Sequence, residues 1–174
     1  MKKKVALVFG GRSAEHEVSL ASAVNIYNAL DKSLFEPILL GVSKEGSWYH
    51  FSDADVFKKH KSLKDSELSS QHVVSLLSYH EKPYILILKN HEKISVDCAF
   101  PIIHGTLGED GTLQGYFKIL NLPFVGCGVL SSSIGMDKDY MKRLLTGAKI
   151  QNSNYIVLRK EDDPVYADTV KKIG

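Results

Sequence analysis

The chain has 174 residues, 44% of them hydrophobic, enough for one well-filled core and part of another. Its 22 Lys and Arg against 20 Asp and Glu leave a formal charge of only +2, so there is no broad basic field of the kind that binds nucleic acid. No segment approaches the roughly 20 consecutive apolar residues of a membrane span, and two cysteines, Cys98 and Cys127, form neither a disulfide framework nor a CxxC metal site. A reducing cytoplasm is the expected compartment.

Three lysines before an apolar run briefly imitate a secretory signal. The run Val5 to Phe9, however, is cut off by Gly10 and Gly11, well short of the roughly 7 to 15 apolar residues such a signal needs. It reads as a buried strand ending in a tight turn, and Leu20, Ala23, Val24, Tyr27 and Leu30 then recur at helical spacing. A second strand is expected at Glu36 to Val42, completing a βαβ unit, and a short hairpin arm at Trp48 to Phe51. From Ser52 to Gln71 the apolar residues Val56, Phe57, Leu63 and Leu68 are too sparse for a helical or strand face, which predicts a loosely packed excursion.

Tyr84 to Lys89 is a strong strand pattern, followed by a turn and Ile94 to Val96. Cys98 to Ile103 is expected as the third parallel strand, running into the loop His104 to Gly111, HGTLGEDG. A helix with Thr112 as N-cap follows to Leu120, then a fourth strand at Leu122 to Val125 and two short helices, Leu130 to Gly135 and Asp137 to Thr146. The alternation predicts an α/β fold: a Rossmann-like, doubly wound parallel sheet with helices on both faces. Asn154 to Arg159 is expected as a strand and Val165 to Ile173 as the start of a helix, the incomplete opening of a second domain.

The chemistry concentrates where strands turn into helices. Gly10 to Leu20, GGRSAEHEVSL, lies at the carboxyl end of a strand, where open α/β sheets bind ligands and helix amides face anions. It is neither a dinucleotide fingerprint nor a P-loop. Glu15 there can pair with a substrate ammonium, or it can simply compensate the helix start, and position alone leaves both readings open. His104 ends an apolar strand, either as scaffold or as a site residue. Glu109 and Asp110 would repel a phosphate and fit better as acids at a helix start. None of the histidines has metal-ligand spacing, so no metal site is expected from this chain. Lys138, Lys142 and Arg143 form a cationic run that reads either as a solvated helix face or as one from which a lysine can reach a phosphate.

Three motifs in order, GGRSAEHEVSL at 10 to 20, HGTLGEDGTLQG at 104 to 115 and LPFVGCGVLSSSIGMDK at 122 to 138, resemble the D-alanine:D-alanine ligases of the ATP-grasp superfamily. The resemblance implies a pre-ATP-grasp N-terminal domain over 1–126 and the truncated start of an ATP-grasp central domain over 127–174. It implies a cytoplasmic homodimer that joins two D-alanines with ATP and Mg2+, through an acyl phosphate, for peptidoglycan precursors. The magnesium ligands are expected outside this chain, which by itself is expected to be an inactive fragment. The resemblance makes Glu15 the anchor of the first D-alanine's ammonium, sets Val18 and Ser19 in the same wall, and places His104 in the site's hydrogen-bonded network. It makes Lys138 an ATP-phosphate contact. Two other readings compete: a non-catalytic Rossmann-like module for amino-acid binding or dimerisation, and a ligase joining D-alanine to D-lactate or D-serine.

Overall fold

The computed structural model describes residues 1–68, 72–162 and 170–171. The chain forms two compact units, Met1–Ser133 and Ile134–Gly174. In the first, β1 (Lys3–Gly10), β2 (Phe35–Val42) and β7 (Cys98–Pro101) run parallel, with β1 in the centre, and β3 (Trp48–Phe51) adds antiparallel to the outer edge of β2. The sheet order is β3-β2-β1-β7.

A continuous apolar run is what a strand needs when both faces of its sheet are covered, and β1 shows why. Val5, Leu7 and Phe9 point to one face, against Leu20 and Ala23 of α1 (His16–Ala29) and Val56 of α2 (Val56–Lys59). Ala6 and Val8 point to the other, against Leu113 and Phe117 of α3 (Thr112–Ile119). That second core also takes in Val74 and Leu76 of β4 (Val74–Tyr79) and Ile85 of β5 (Lys82–Ile87). With β6 (Lys93–Ser95) these strands make a separate antiparallel sheet, β4-β5-β6. The expected α/β class with a parallel sheet and helices on both faces is the observed one.

Several elements differ from the sequence reading. The segment after β3 is not loosely packed: Leu63 is fully buried and Val56 nearly so, and Asp65–Glu67 forms a 3-10 turn. Isolated apolar residues carry no periodic signal, yet each fills a slot made by distant elements. Strand β4 was not expected at all, and its alternating burial becomes meaningful only once β5 lies beside it. Leu122 to Val125 is a single parallel bridge between Ala99 and Phe124 instead of a fourth strand, because Pro123 has no N–H to extend the ladder. Thr112 is the first residue of α3 and not its cap. Gly111 takes that place at φ +94, where a Cβ would lie 2.8 Å from the Val129 carbonyl.

Of the two expected short helices the second is α5 (Lys138–Gly147), in the second unit, begun by Asp137, whose Oδ1 accepts the amides of Asp139 and Tyr140. Helix α4 (Val129–Met136) precedes it. Asn154 to Arg159 is not a strand: its backbone forms no ladder or bridge among the described residues, despite the apolar composition of Tyr155 to Leu158. The expected helix from Val165 lies outside the described residues except for Val170 and Lys171, which are helical.

Leu63→Ala is expected to cost about 2 to 5 kcal/mol by leaving a cavity under Phe9 and Gly41. Exposed Lys61→Ala should stay within about 0.5 kcal/mol. Urea unfolding followed by far-UV circular dichroism measures both.

Candidate functional site

The turn after β1 is built around glycines that nothing else can replace. Gly10 and Gly11 have φ of +88 and +95, and a Cβ on Gly10 would lie 2.3 Å from the Val42 carbonyl. That carbonyl instead accepts the Gly11 N–H at 2.8 Å, pinning the turn to the end of β2. Fully buried His16 ties the same turn to the segment beyond β3. The Leu63 amide can only donate, so Nε2 of His16 accepts it at 2.9 Å and Nδ1–H donates to the Gly11 carbonyl at 2.8 Å.

Ser19 completes the join from beneath. Its Oγ accepts the Gly10 N–H at 2.8 Å and donates to the Ile102 carbonyl at 2.6 Å, so one hydroxyl ties the end of β1, the exit of β7 and α1 together. It is fully buried. Ser19 therefore meets the site as its latch, while Val18 beside it is 54% exposed on the outer surface of α1.

Glu15 stands at the N-cap position of α1, exposed, and its carboxylate caps no helix amide. It lies over Gly105, where a Cβ would come within 2.8 Å of Glu15 Oε2 and 3.1 Å of Ser13 Oγ. Gly105 has φ +72 and follows His104, so Glu15 and His104 converge at the carboxyl ends of the paired strands β1 and β7. His104 is itself held from two sides. Its Nε2 is 3.0 Å from Ser22 Oγ on α1, and its Nδ1 is 3.7 Å from Glu109 Oε1. The carboxylate favours the proton on Nδ1, which lets the Ser22 hydroxyl donate to Nε2.

The acids of the HGTLGEDG loop fold the loop. Glu109 Oε2 accepts the Gly105 N–H at 2.9 Å, and Asp110 accepts the Leu107 and Thr112 amides at 2.9 and 3.0 Å. Leu107 sits at φ +65, a conformation that this bridging helps to hold. Nearby Glu17 is matched by Lys44 at 2.5 Å, and that hydrogen bond holds its carboxyl below the usual range. Glu15 thus remains an acid without an ion-pair partner among the described residues, beside neighbours already occupied.

Sequence reasoning missed Ser22 and the clamp from Glu109. No local pattern singles out Ser22, since α1 also carries His16, Glu17, Asn25 and Asn28, and only the arrival of His104 gives it a role. Lys138 lies in the second compact unit, exposed at the start of α5, with Nζ donating to the Gly135 carbonyl at 2.9 Å. The described residues hold no group of three His, Cys, Asp or Glu fit to ligate a metal.

The sequence model described as D-ala D-ala ligase N-terminus matches residues 4–127. The D-alanine–D-alanine ligase A of Escherichia coli (strain K12) is 44% identical over 99% of this chain and 49% of its own length. The chain therefore spans about half the length of the curated relatives it matches. Among solved structures, the D-alanine–D-alanine ligase of Coxiella burnetii superposes with a TM-score of 0.80 at 34% identity, covering 93% of this chain and 47% of that one. VanG D-Ala:D-Ser ligase of Enterococcus faecalis gives 0.72 at 34% identity, with coverage of 88% and 44%.

Burial opposes ionisation of Asp110, but the Thr112 and Leu107 amides outweigh it and hold its carboxyl below the usual range. A folded-state value lowered below the unfolded 3.8 stabilises the protein fully above that pH and is lost as pH falls through the folded value. Asp110→Ala, which removes the charged acceptor of the Leu107 and Thr112 amides, should cost about 1 to 3 kcal/mol at pH 7. The gap from the parent should narrow on acidification below about pH 4, as read by urea unfolding at a series of pH values.

Proposed function

This chain belongs to the D-alanine–D-alanine ligase family, and on that premise we propose that it supplies one wall of a D-alanine site, with Glu15 as the anchor of the substrate ammonium, in an enzyme that joins two D-alanines using ATP. The observation that carries this reading is the Glu15 carboxylate, without an ion-pair partner among the described residues, poised over Gly105 and beside His104, while the neighbouring acids Glu17, Glu109 and Asp110 are already taken by Lys44 or by backbone amides. An ammonium placed on Glu15 meets its carboxylate without displacing an ion-pair partner among the described residues. Gly105, having no side chain, leaves the carboxylate open from below.

In the proposed reaction the carboxylate of the first D-alanine takes the γ-phosphoryl group of ATP, releasing ADP. The amine of the second then attacks the acyl phosphate and expels inorganic phosphate as the peptide bond forms. This chain's residues bind and orient. Glu15 holds the ammonium, His104 is kept in register by Ser22 and Glu109, and Ser19 fixes the distance between the two strand ends. Lys138, whose ammonium now rests on a backbone carbonyl at the surface, is proposed to exchange that oxygen for an ATP phosphate. Among the described residues no group of His, Cys, Asp and Glu fits Mg2+. The proposal extends to a cytoplasmic homodimer serving peptidoglycan precursor synthesis, the setting that the family resemblance implies.

The likeness to a D-Ala:D-Ser ligase supports a second reading, in which the first substrate is D-alanine and the acceptor is D-serine. Both readings give Glu15 the same role and differ only in the attacking molecule. Phosphate release measured with D-alanine alone, and with D-alanine plus D-serine, separates them.

Glu15 is exposed in this chain, and in the proposed full-length enzyme the bound substrate and the rest of the site take the pair out of water. Removing one member of a pair so desolvated typically costs about 3 to 5 kcal/mol. Glu15→Gln, in a protein carrying this segment at the full length of its relatives, should therefore weaken use of the first D-alanine by roughly 100-fold or more. The KM for ATP should stay near the parent value. Coupled phosphate-release kinetics over a D-alanine titration measure this, and a nearly normal D-alanine dependence would remove Glu15 from the role.

A further inference from the structure

On the face of the sheet opposite α1, a cleft of about 250 Å³ opens between the Gly10–Gly11 turn, the β2–β3 turn and α3. Its walls are almost wholly apolar: Val42, Trp48, Ile103, Leu113 and Tyr116. Trp48 and Tyr116 stand edge to face, with ring centroids 6.2 Å apart at 64°, and the Tyr116 hydroxyl is turned away onto the Leu76 carbonyl. The tyrosine thus presents ring and not hydroxyl to the cleft.

Thr112 adds one polar group, and the charge is supplied by Arg12. Its stem packs over Gly46, where a Cβ would lie 2.7 Å from Arg12 Cδ, so the side chain is steered along the cleft's rim. Arg12 is exposed and has no carboxylate within 4.0 Å among the described residues, whereas nearby Lys44 is matched by Glu17. Leu107, at φ +65, lines the same opening. Non-glycine residues in that conformation concentrate at ligand clamps and switch regions.

We propose that this cleft is a binding site for a small aromatic carboxylate, a single ring on a short acid arm. The ring fills the apolar space and meets Trp48 and Tyr116 in the tilted geometry that aromatic quadrupoles prefer. The carboxylate reaches the Arg12 guanidinium, whose planar fork pairs with two oxygens at once. The volume lies just below the usual range of about 300 to 1,000 Å³ for ligand pockets, which suits a ligand of this size and not a nucleotide. The site is distinct from Glu15 and His104 but shares its walls with their loops, since Gly11 opens the turn that leads to Glu15 and Leu107 belongs to the loop that begins at His104.

Trp48 is the single tryptophan of the chain, so its indole N–H gives one resonance in a 1H–15N spectrum of the labelled 174-residue protein. Titration with 3-phenylpropionate should shift that resonance saturably, while 3-phenylpropanol, the uncharged analogue, should bind at least about tenfold more weakly, given the strength of a charge-assisted pair. Arg12→Gln changes only an exposed side chain, and retention of a dispersed spectrum confirms its fold. It should weaken the acid by a similar factor and leave the alcohol unchanged. A linear, non-saturating shift, equal affinity for acid and alcohol in the parent, or an Arg12→Gln variant that binds the acid normally would each overturn the proposal.

Discussion

The arrangement of this protein's site depends on one buried hydroxyl. Ser19 Oγ accepts from Gly10 and donates to Ile102, so the end of the central strand and the exit of its neighbour are held at a fixed separation by a residue of the intervening helix. Strands alone would not fix it, because the parallel register of β1 and β7 ends at Val8 and Pro101: β1 runs on to Gly10 beside β2, but the chain after β7 is irregular. Ile102 donates back to the Val8 carbonyl at 2.7 Å, which closes the join. A buried hydroxyl with both its donor and acceptor used is worth more than either bond alone, since losing it orphans two backbone groups in a low-dielectric interior.

From that join the rest follows by exclusion. The glycine turn has room for nothing larger, His16 is committed to Gly11 and Leu63, and the acids of the second loop are committed to backbone amides. Polar groups that satisfy one another make a rigid frame but offer little to a ligand. Glu15 is the exception, an acid placed by a rigid frame and not used by it. The contrast with Glu17, only one turn-step away and matched by Lys44, shows that this is a property of placement and not of composition.

Covering both faces of the sheet makes this frame stiff. The alternating side chains of β1 feed two separate cores, one with α1 and α2 and one with α3 and the small antiparallel sheet. Phe9 and Phe117, both fully buried, sit in different cores, so the turn after β1 is braced from both sides. Loops on such a scaffold can hold a side chain in a fixed place without a metal or disulfide to staple them.

The sequence by itself determined the α/β class, the βαβ start, the positions of α1, α3 and α5, and the two loops that carry Glu15 and His104, because those features rest on local periodicity and on glycines at strand ends. The family was legible from motifs whose spacing needs no structure to read. Tertiary structure alone decided the rest. Leu63 looks like a stray apolar residue until His16 and Phe9 surround it, β4 needs β5 to become a strand, and Asn154 to Arg159 has strand composition but is not a strand. Ser22 is an ordinary helix serine until His104 arrives from the far end of the unit. Long-range contacts of this kind leave no periodic trace, because the residues that complete each one lie tens of positions away and their spacing is set by the fold.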